Sequence, residues 1–271
     1  MTGAVRLARH AGRIPLLRHV ASHAYGRYFD RAGGRVRMFH GIYPDFPNAR
    51  AHVPPRRLVG YDNEPSASRV LDEWLQIWPY DYPVLYWLTR LLPECRSVFD
   101  WGGNVGLKYF SYRRYLEIPP TTAWWVSDVP AVVRLGRAVA SREGNPRSLQ
   151  FTTGLEALET ADLLFASGSI QFIENPFAAL AAHRDLPRHA IFSKVPVTDR
   201  PAAVTLHNMG SAVCPYHLFN RETLLRNLEG LGYRLVDAWT SPDCSCEIPF
   251  HADYTIPAYS GLYFRRQDAC I

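Results

Sequence analysis

Between residues 68 and 266 the chain switches repeatedly between short apolar runs and segments whose apolar positions recur at helical spacing. "SRVLDEWLQIW" (68–78) and "YPVLYWLTRLL" (82–92) predict two helices, separated by Pro79 and closed by Pro93. "SVFD" (97–100) then reads as a buried strand, and "VGLKYFSYRRYL" (105–116) as a helix beginning inside a cluster of glycines. "AWWVSD" (123–128) is a second strand, followed by the helix "PAVVRLGRAVASRE" (130–143), which Pro130 opens and Gly144 ends. "LQFT" (149–152), "ADLLFAS" (161–167) and "HAIFSKV" (189–195) supply three further strands, with a helix starting at Asn175–Pro176 between the last two. Such alternation predicts a parallel sheet. Near the end, Asn220 caps "RETLLRNLEGL", with Leu224, Leu225, Leu228 and Leu231 on one face and Gly232 as its stop. "YRLVDAWT" (233–240) and "AYSGLYFRR" (258–266) follow with no helix between them, a connection that allows antiparallel pairing. The expected fold is α/β and Rossmann-like, mostly parallel with an antiparallel C-terminal strand, over residues 69–271. Residues 1–68 read as a basic, aromatic- and Pro-rich extension, loop-like from 30 onward.

Composition narrows the class of partner. At 271 residues, 47% hydrophobic and 20% charged, the chain suits one soluble α/β domain with an appendage. Of its 30 cationic side chains only Lys108 and Lys194 are lysine, leaving 28 arginines, a bias that resembles codon usage more than a nucleic-acid surface. Eight arginines against the single acid Asp30 in residues 1–37 suggest a solvated, frayed N-terminal helix, a membrane-surface segment being the alternative. No apolar run approaches the roughly 18 residues of a spanning helix, and no secretory leader is evident, so the expected location is cytoplasmic. Five cysteines at irregular spacing (Cys95, Cys214, Cys244, Cys246, Cys270) point to a reducing compartment. With His217 and His251 they match no structural zinc spacing, so no metal is expected.

The glycine cluster carries the chemistry. In a sheet of this kind the ligand sits beyond the carboxyl ends of the strands, at the switch point. Gly102, Gly103 and Gly106 allow a tight turn, close backbone approach and tight helix packing there, while Asn104 tolerates a left-handed backbone. A dinucleotide G-x-G-x-x-G would need glycine at 101, where Trp101 stands. An acid at Asp100 suits a cationic ligand such as an amino-acid ammonium, which S-adenosylmethionine carries. Asp128 ends the second strand 22 residues after Gly106 (positions 106 and 128), about where an acid takes both ribose hydroxyls. Its competing role is an N-cap for the helix opening at Pro130.

"FDWGGNVGLKYF" resembles the D-x-G-G-x-x-G-x-x-Y signature of a family of class I, Rossmann-like methyltransferases met in glycan and natural-product gene clusters. The resemblance extends to "GIYPDFPNA", "GYD", "YPVLYWL", "SGSIQFIENP", "KVPVT" and "CPYHLFNRETLLRNLEGLGYRLVDAW", covering about residues 38 to 265. It implies S-adenosylmethionine as cofactor, with Asp100, Gly102, Gly103, Gly106 and Asp128 as its contacts; Asn104, where many methyltransferases have a further glycine, and Ser167 are further candidates for cofactor binding. It implies no catalytic residue.

For such a reaction the acceptor belongs over the fourth strand, near "SGSIQF" (167–172). The N/D-P-P-Y/F motif of base and amide N-methyltransferases is missing there, and so is the C-x-x-x-C-x-x-C of radical enzymes. Candidate bases are His207, His217, Asp199 and Asp45, with Tyr43, Tyr61 and Tyr216 as hydrogen-bond donors and Tyr43 also a candidate for catalysis. "YPDFP" and "GYDNEP" are candidates for a lid. The paired tryptophans Trp124–Trp125 and Trp74–Trp78 read as core. The leading expectation is a methyltransferase acting on a small molecule, a sugar or natural-product intermediate. Against it stand a cofactor-binding enzyme of cyclisation or elimination, a non-catalytic partner subunit in a homo- or hetero-oligomer and, last, a nucleic-acid module.

Overall fold

The computed structural model describes residues 15–33, 38–69, 75–144 and 146–267. Among them the strands are β1 (Met38–Tyr43), β2 (Ser97–Trp101), β3 (Ala123–Ser127), β4 (Leu149–Thr152), β5 (Leu163–Ser167), β6 (His189–Val195), β7 (Val197–Thr198), β8 (Ala203–Asn208), β9 (Val213–Asn220), β10 (Tyr233–Ser241) and β11 (Tyr259–Arg266). The helices are α1 (Pro15–Arg31), α2 (Phe46–Ala51), α3 (Glu64–Arg69), α4 (Tyr82–Leu91), α5 (Leu107–Tyr112), α6 (Pro130–Arg142), α7 (Pro176–Ala181) and α8 (Arg221–Gly230). Of the helix expected over 68–78, residues 70–74, Trp74 included, lie outside the described residues, as do the first 14 residues and Cys270; residues 68–69 end α3 and residues 75–78 are not helical.

Seven strands form one sheet in the order β10-β11-β6-β5-β2-β3-β4, in which β11 alone runs antiparallel to its neighbours. This is the Rossmann-like arrangement expected of a class I methyltransferase sheet. The order reverses beside β2: β3 and β4 lie to one side, β5 and β6 to the other. Because successive side chains of a strand face opposite ways, each strand feeds two cores. Val98, Trp124 and Phe165 pack on one face with Leu88 of α4, Phe110 of α5 and Val132 of α6. Phe99, Leu164 and Phe192 pack on the other with Leu180 of α7 and Leu228 of α8. Asn220 caps α8 as its sequence predicts, its side chain accepting the Thr223 N–H.

A second sheet, β1-β8-β9-β7, was not foreseen. Residues 30–68 are therefore not simply loop: β1 pairs antiparallel with β8, and α2 packs beside it. Nor is the N-terminal helix merely solvated, because Tyr25 and Phe29 of α1 are buried against this sheet with Met38, Val204 and Leu206. Tyr25 also donates to the Phe39 carbonyl at 2.9 Å. No helix of the described residues is long and apolar enough to cross a membrane.

Candidate active site

The carboxyl ends of β2, β3 and β5 open into a cavity of about 1250 Å³, whose far wall comes from β1, β8 and β9. It lies where the strand order reverses, the position at which open α/β sheets bind ligands. Gly102 holds a left-handed φ of +72°, and a Cβ on it would collide with Ser169. A Cβ on Gly103 would collide with the Asp100 carboxyl. The loop thus lies flat over its own strand end, which only glycine permits. Asn104 takes φ +57°, as its side chain allows, and its Oδ1 accepts the Val105 N–H at 2.9 Å.

Asp100 is buried beneath this loop. Its Oδ2 accepts the Trp124 Nε1–H at 3.1 Å, and its Oδ1 has no hydrogen-bond partner. Burial pushes the carboxyl up to about 7; the Trp124 bond opposes that rise, the nearby charge of Asp128 adds to it and Lys108 opposes it. Asp128 sits at the cavity wall. Its Oδ2 accepts the Asn104 N–H at 2.9 Å and its Oδ1 the Val129 N–H at 2.8 Å. Desolvation raises it to about 6 against the pull of those two bonds. Asp128 does not cap α6. Asp62 does, accepting the Ala131 N–H at 2.8 Å from the upstream "GYDNEP" segment.

The cavity gathers some of the expected residues and leaves others out. His207, Tyr61, Tyr216 and Ser167 line it. His207 stacks on Phe39, ring centroids 4.6 Å apart and 14° from parallel, with Phe172 at 5.8 Å and Tyr216 at 5.2 Å. Tyr216 donates to the Tyr259 hydroxyl at 2.8 Å. The Ser167 Oγ is buried without a hydrogen-bond partner. His217, one residue along β9 from Tyr216, faces the opposite side. Its Nε2 meets the Glu174 carbonyl at 2.9 Å, its ring lies 4.4 Å from Phe46, and burial holds its pKa below the usual histidine range. Asp199 is an exposed partner of Arg221 at 2.8 Å. Asp45 caps α2 through the Asn48 N–H at 2.7 Å, and Tyr43 packs on the His52 ring at 4.9 Å. His217, Asp199, Asp45 and Tyr43 are thus not cavity-lining residues. The segments "YPDFP" and "GYDNEP" contribute Phe46, Gly60 and Tyr61 to the walls.

The segment "SGSIQF", expected beside the acceptor, lines the cavity through Ser167, Gly168, Ser169, Gln171 and Phe172, while sequence reasoning overlooked Lys108, Lys194, Thr153 and Leu155, which also line it. The signal available was that both lysines of an arginine-rich chain flank the glycine loop and the fifth strand. Lys108 is buried and bonds Asp81 Oδ1 at 2.6 Å; the Tyr112 hydroxyl donates to the same oxygen at 2.6 Å. Among the described residues no group of three or more His, Cys, Asp or Glu side chains is gathered as a metal site.

No family model and no curated protein matches the chain. Among solved structures it is similar to the Burkholderia thailandensis 1,6-didemethyltoxoflavin-N1-methyltransferase, crystallised with 1,6-didemethyltoxoflavin and S-adenosylhomocysteine. That likeness has 16% identity over 74% of this chain and 87% of the other, with a TM-score of 0.48. The CcbJ methyltransferase of Streptomyces caelestis is similar at 14% identity over 78% and 99%, with a TM-score of 0.49. The magnesium protoporphyrin IX methyltransferase of Synechocystis PCC 6803, crystallised with S-adenosylhomocysteine, is similar at 17% over 68% and 81%, with a TM-score of 0.45.

Proposed function

We propose that this chain is an S-adenosylmethionine-dependent methyltransferase acting on a small molecule. One observation carries the reading: at the switch point of the sheet, a flat glycine loop lies between a strand-end acid below it and a second acid on the next strand, all facing one cavity. The residues fit the cofactor's groups. Gly102, Gly103, Asn104 and Gly106 form the cradle. The orphaned Oδ1 of Asp100 and the unpartnered Ser167 hydroxyl suit its amino-acid end, and Asp128 suits the ribose hydroxyls. A nicotinamide dinucleotide fits less well, because Trp101 stands where its glycine belongs and a buried acid opposes a pyrophosphate. At about 1250 Å³ the cavity exceeds the usual range for a single small ligand, leaving room for an acceptor beside the cofactor.

Bound there, the cofactor supplies a methyl group already attached to an excellent leaving group. The chain's own residues then have to orient the acceptor, exclude water and take a proton. Phe39, Tyr61, Phe172 and Tyr216 form the acceptor's walls, and His207 takes the proton. The same cavity would serve a cyclisation or elimination in which the cofactor is not consumed. Turnover of S-adenosylmethionine labelled in its methyl group, with an extract of source-cell metabolites as acceptor, separates the two. Methyl transfer yields a labelled product and an equal amount of S-adenosylhomocysteine. A converted metabolite without S-adenosylhomocysteine contradicts methyl transfer.

A further inference from the structure

The tight turn after β5 brings one more polar side chain to the cavity than the cofactor's groups need. Gln171 is the middle residue of that turn, Ile170–Phe172, whose first residue is locked into the core of the large sheet and whose last belongs to the aromatic wall. Gln171 itself is only 3% exposed and lines the cavity. Its Nε2 donates to the Lys194 carbonyl at 3.4 Å, whereas its Oε1 is buried with no hydrogen-bond partner. Buried polar atoms are paired in most folded proteins, so an acceptor left open in a cavity wall marks a place for a ligand's donor.

The surroundings fix which way the amide points. Turning it over would set Oε1 against the Lys194 carbonyl, two acceptors face to face. The nearby hydroxyls are committed elsewhere: that of Tyr216 donates to that of Tyr259 at 2.8 Å. Burial pushes both phenols above the ordinary tyrosine range, and the Gln171 amide opposes that rise at Tyr216 only in part, so both stay protonated and uncharged. Neither hydroxyl therefore brings a charge to this end of the cavity, and Gln171 Oε1 brings an unmet acceptor.

Its place assigns it to the methyl acceptor rather than to the cofactor. Two residues back, Ser169 packs on Gly102 and bonds the Trp101 carbonyl, so the glycine loop lies on that side. One residue on, Phe172 meets the Tyr216 ring edge-on at 5.0 Å and the Tyr61 ring at 6.0 Å. The cofactor's ammonium and ribose already have Asp100, Ser167 and Asp128 for partners. An aromatic wall with an inward acceptor suits a flat body that presents an O–H or N–H. An ether or carbonyl oxygen in that position would meet Oε1 lone pair to lone pair, and a site built around a hydrogen bond rejects analogues that lack it.

We propose that Gln171 is the specificity-determining residue for the methyl acceptor: its Oε1 accepts a hydrogen bond from a neutral O–H or N–H on a flat small molecule lodged against Phe172 and Tyr216. This rests on the methyl-transfer reading and narrows its substrate class.

The test compares indole with benzofuran, bodies of one shape with and without an N–H, by equilibrium dialysis against the full chain, with and without saturating S-adenosylhomocysteine. Phenol against fluorobenzene repeats the comparison for an O–H. Wild type should bind the donor of at least one pair about tenfold more tightly than its partner, and the larger ratio tells which donor is read. Gln171→Met should bring that ratio to about one, while Gln171→Glu, which keeps an oxygen there, should retain most of it. A side chain that only braced the turn would weaken both members of a pair alike and leave the ratio unchanged. A ratio that survives Gln171→Met, its loss in a folded Gln171→Glu, or a wild type that prefers neither donor or binds no probe overturns the proposal. Circular dichroism and S-adenosylhomocysteine affinity should be unchanged in both variants; a loss of that affinity in a folded Gln171→Met would place the amide at the cofactor and overturn the proposal too. If the Gln171-dependent ratio is present but S-adenosylhomocysteine fails to bind wild type, the cofactor reading falls and the donor-reading site stands.

Discussion

The glycine loop and Asp100 occupy the same small volume, and their chemistry follows from that crowding. Alanine at 103 would drive its Cβ into the Asp100 carboxyl and disturb the bond from Trp124. Gly103→Ala and Asp100→Asn should therefore be non-additive by about 0.5–3 kcal/mol in chemical denaturation, and strict additivity would place the two groups apart. Asp100 also sets a pH dependence. Its carboxyl has a pKa of about 7 in the folded chain against about 3.8 when exposed, so the folded state keeps a proton that the unfolded chain gives up. The stability due to neutral Asp100 is full below about pH 4 and is lost as pH rises through about 7. Asp100→Asn should thus lose less of its thermal midpoint than wild type between about pH 5 and about pH 8; an identical slope in calorimetry contradicts the burial argument. This part of the site was legible in the sequence because its signal is local: an acid at a strand end, then three glycines. The place of Lys194 in the cavity wall was not, because it depends on a left-handed backbone and on Tyr80, far away in sequence.

At the level of elements, the sheet was readable because its strands are short apolar runs between helices of clear period. The small sheet was not, and three of its strands show why. β1 contains Gly41 at φ +74° and an irregular register between His40 and Tyr43, which breaks the alternation a strand should show. β8 is buried at all six positions and so has no polar face to mark it. β9 carries Pro215, which argues against a strand in sequence, although it pairs with Leu206 in the structure. The helix after the glycine loop is shorter than the apolar pattern suggested, ending at Tyr112. The start of α6 shows a different kind of concealment, since its cap comes from 69 residues upstream through Asp62. Asp62→Ala should cost about 0.5–2 kcal/mol in denaturant unfolding, as removal of a helix cap does, and a neutral variant would mean that the carboxylate only rests there. Asp128, freed from capping, keeps its place against the glycine loop.

Across the whole molecule, the two sheets enclose the cavity between them, so its far wall depends on how firmly the small sheet is held. Arg57 is central to that hold. It donates to the Ala32 carbonyl at 2.8 Å, to Asn208 Oδ1 at 3.0 Å and to the Gly210 carbonyl at 2.7 Å. Asn208 in turn donates to the Phe29 and Ala32 carbonyls at 2.7 and 3.1 Å, tying the end of α1 to the turn between β8 and β9. Arg57→Ala should speed amide exchange in β1 and β8 while leaving β2, β5 and β6 protected, local opening being cheaper than global unfolding. Uniform acceleration would mean that the two sheets open together. Calorimetric titration of S-adenosylmethionine, with NAD as control, shows whether the cavity's glycine-loop end binds that cofactor. One site per chain for S-adenosylmethionine, no binding of NAD, and binding about 1.5–3 kcal/mol weaker in a folded Asp128→Ala variant are expected. Binding of NAD in place of S-adenosylmethionine, binding of neither, or full affinity in Asp128→Ala would contradict that expectation.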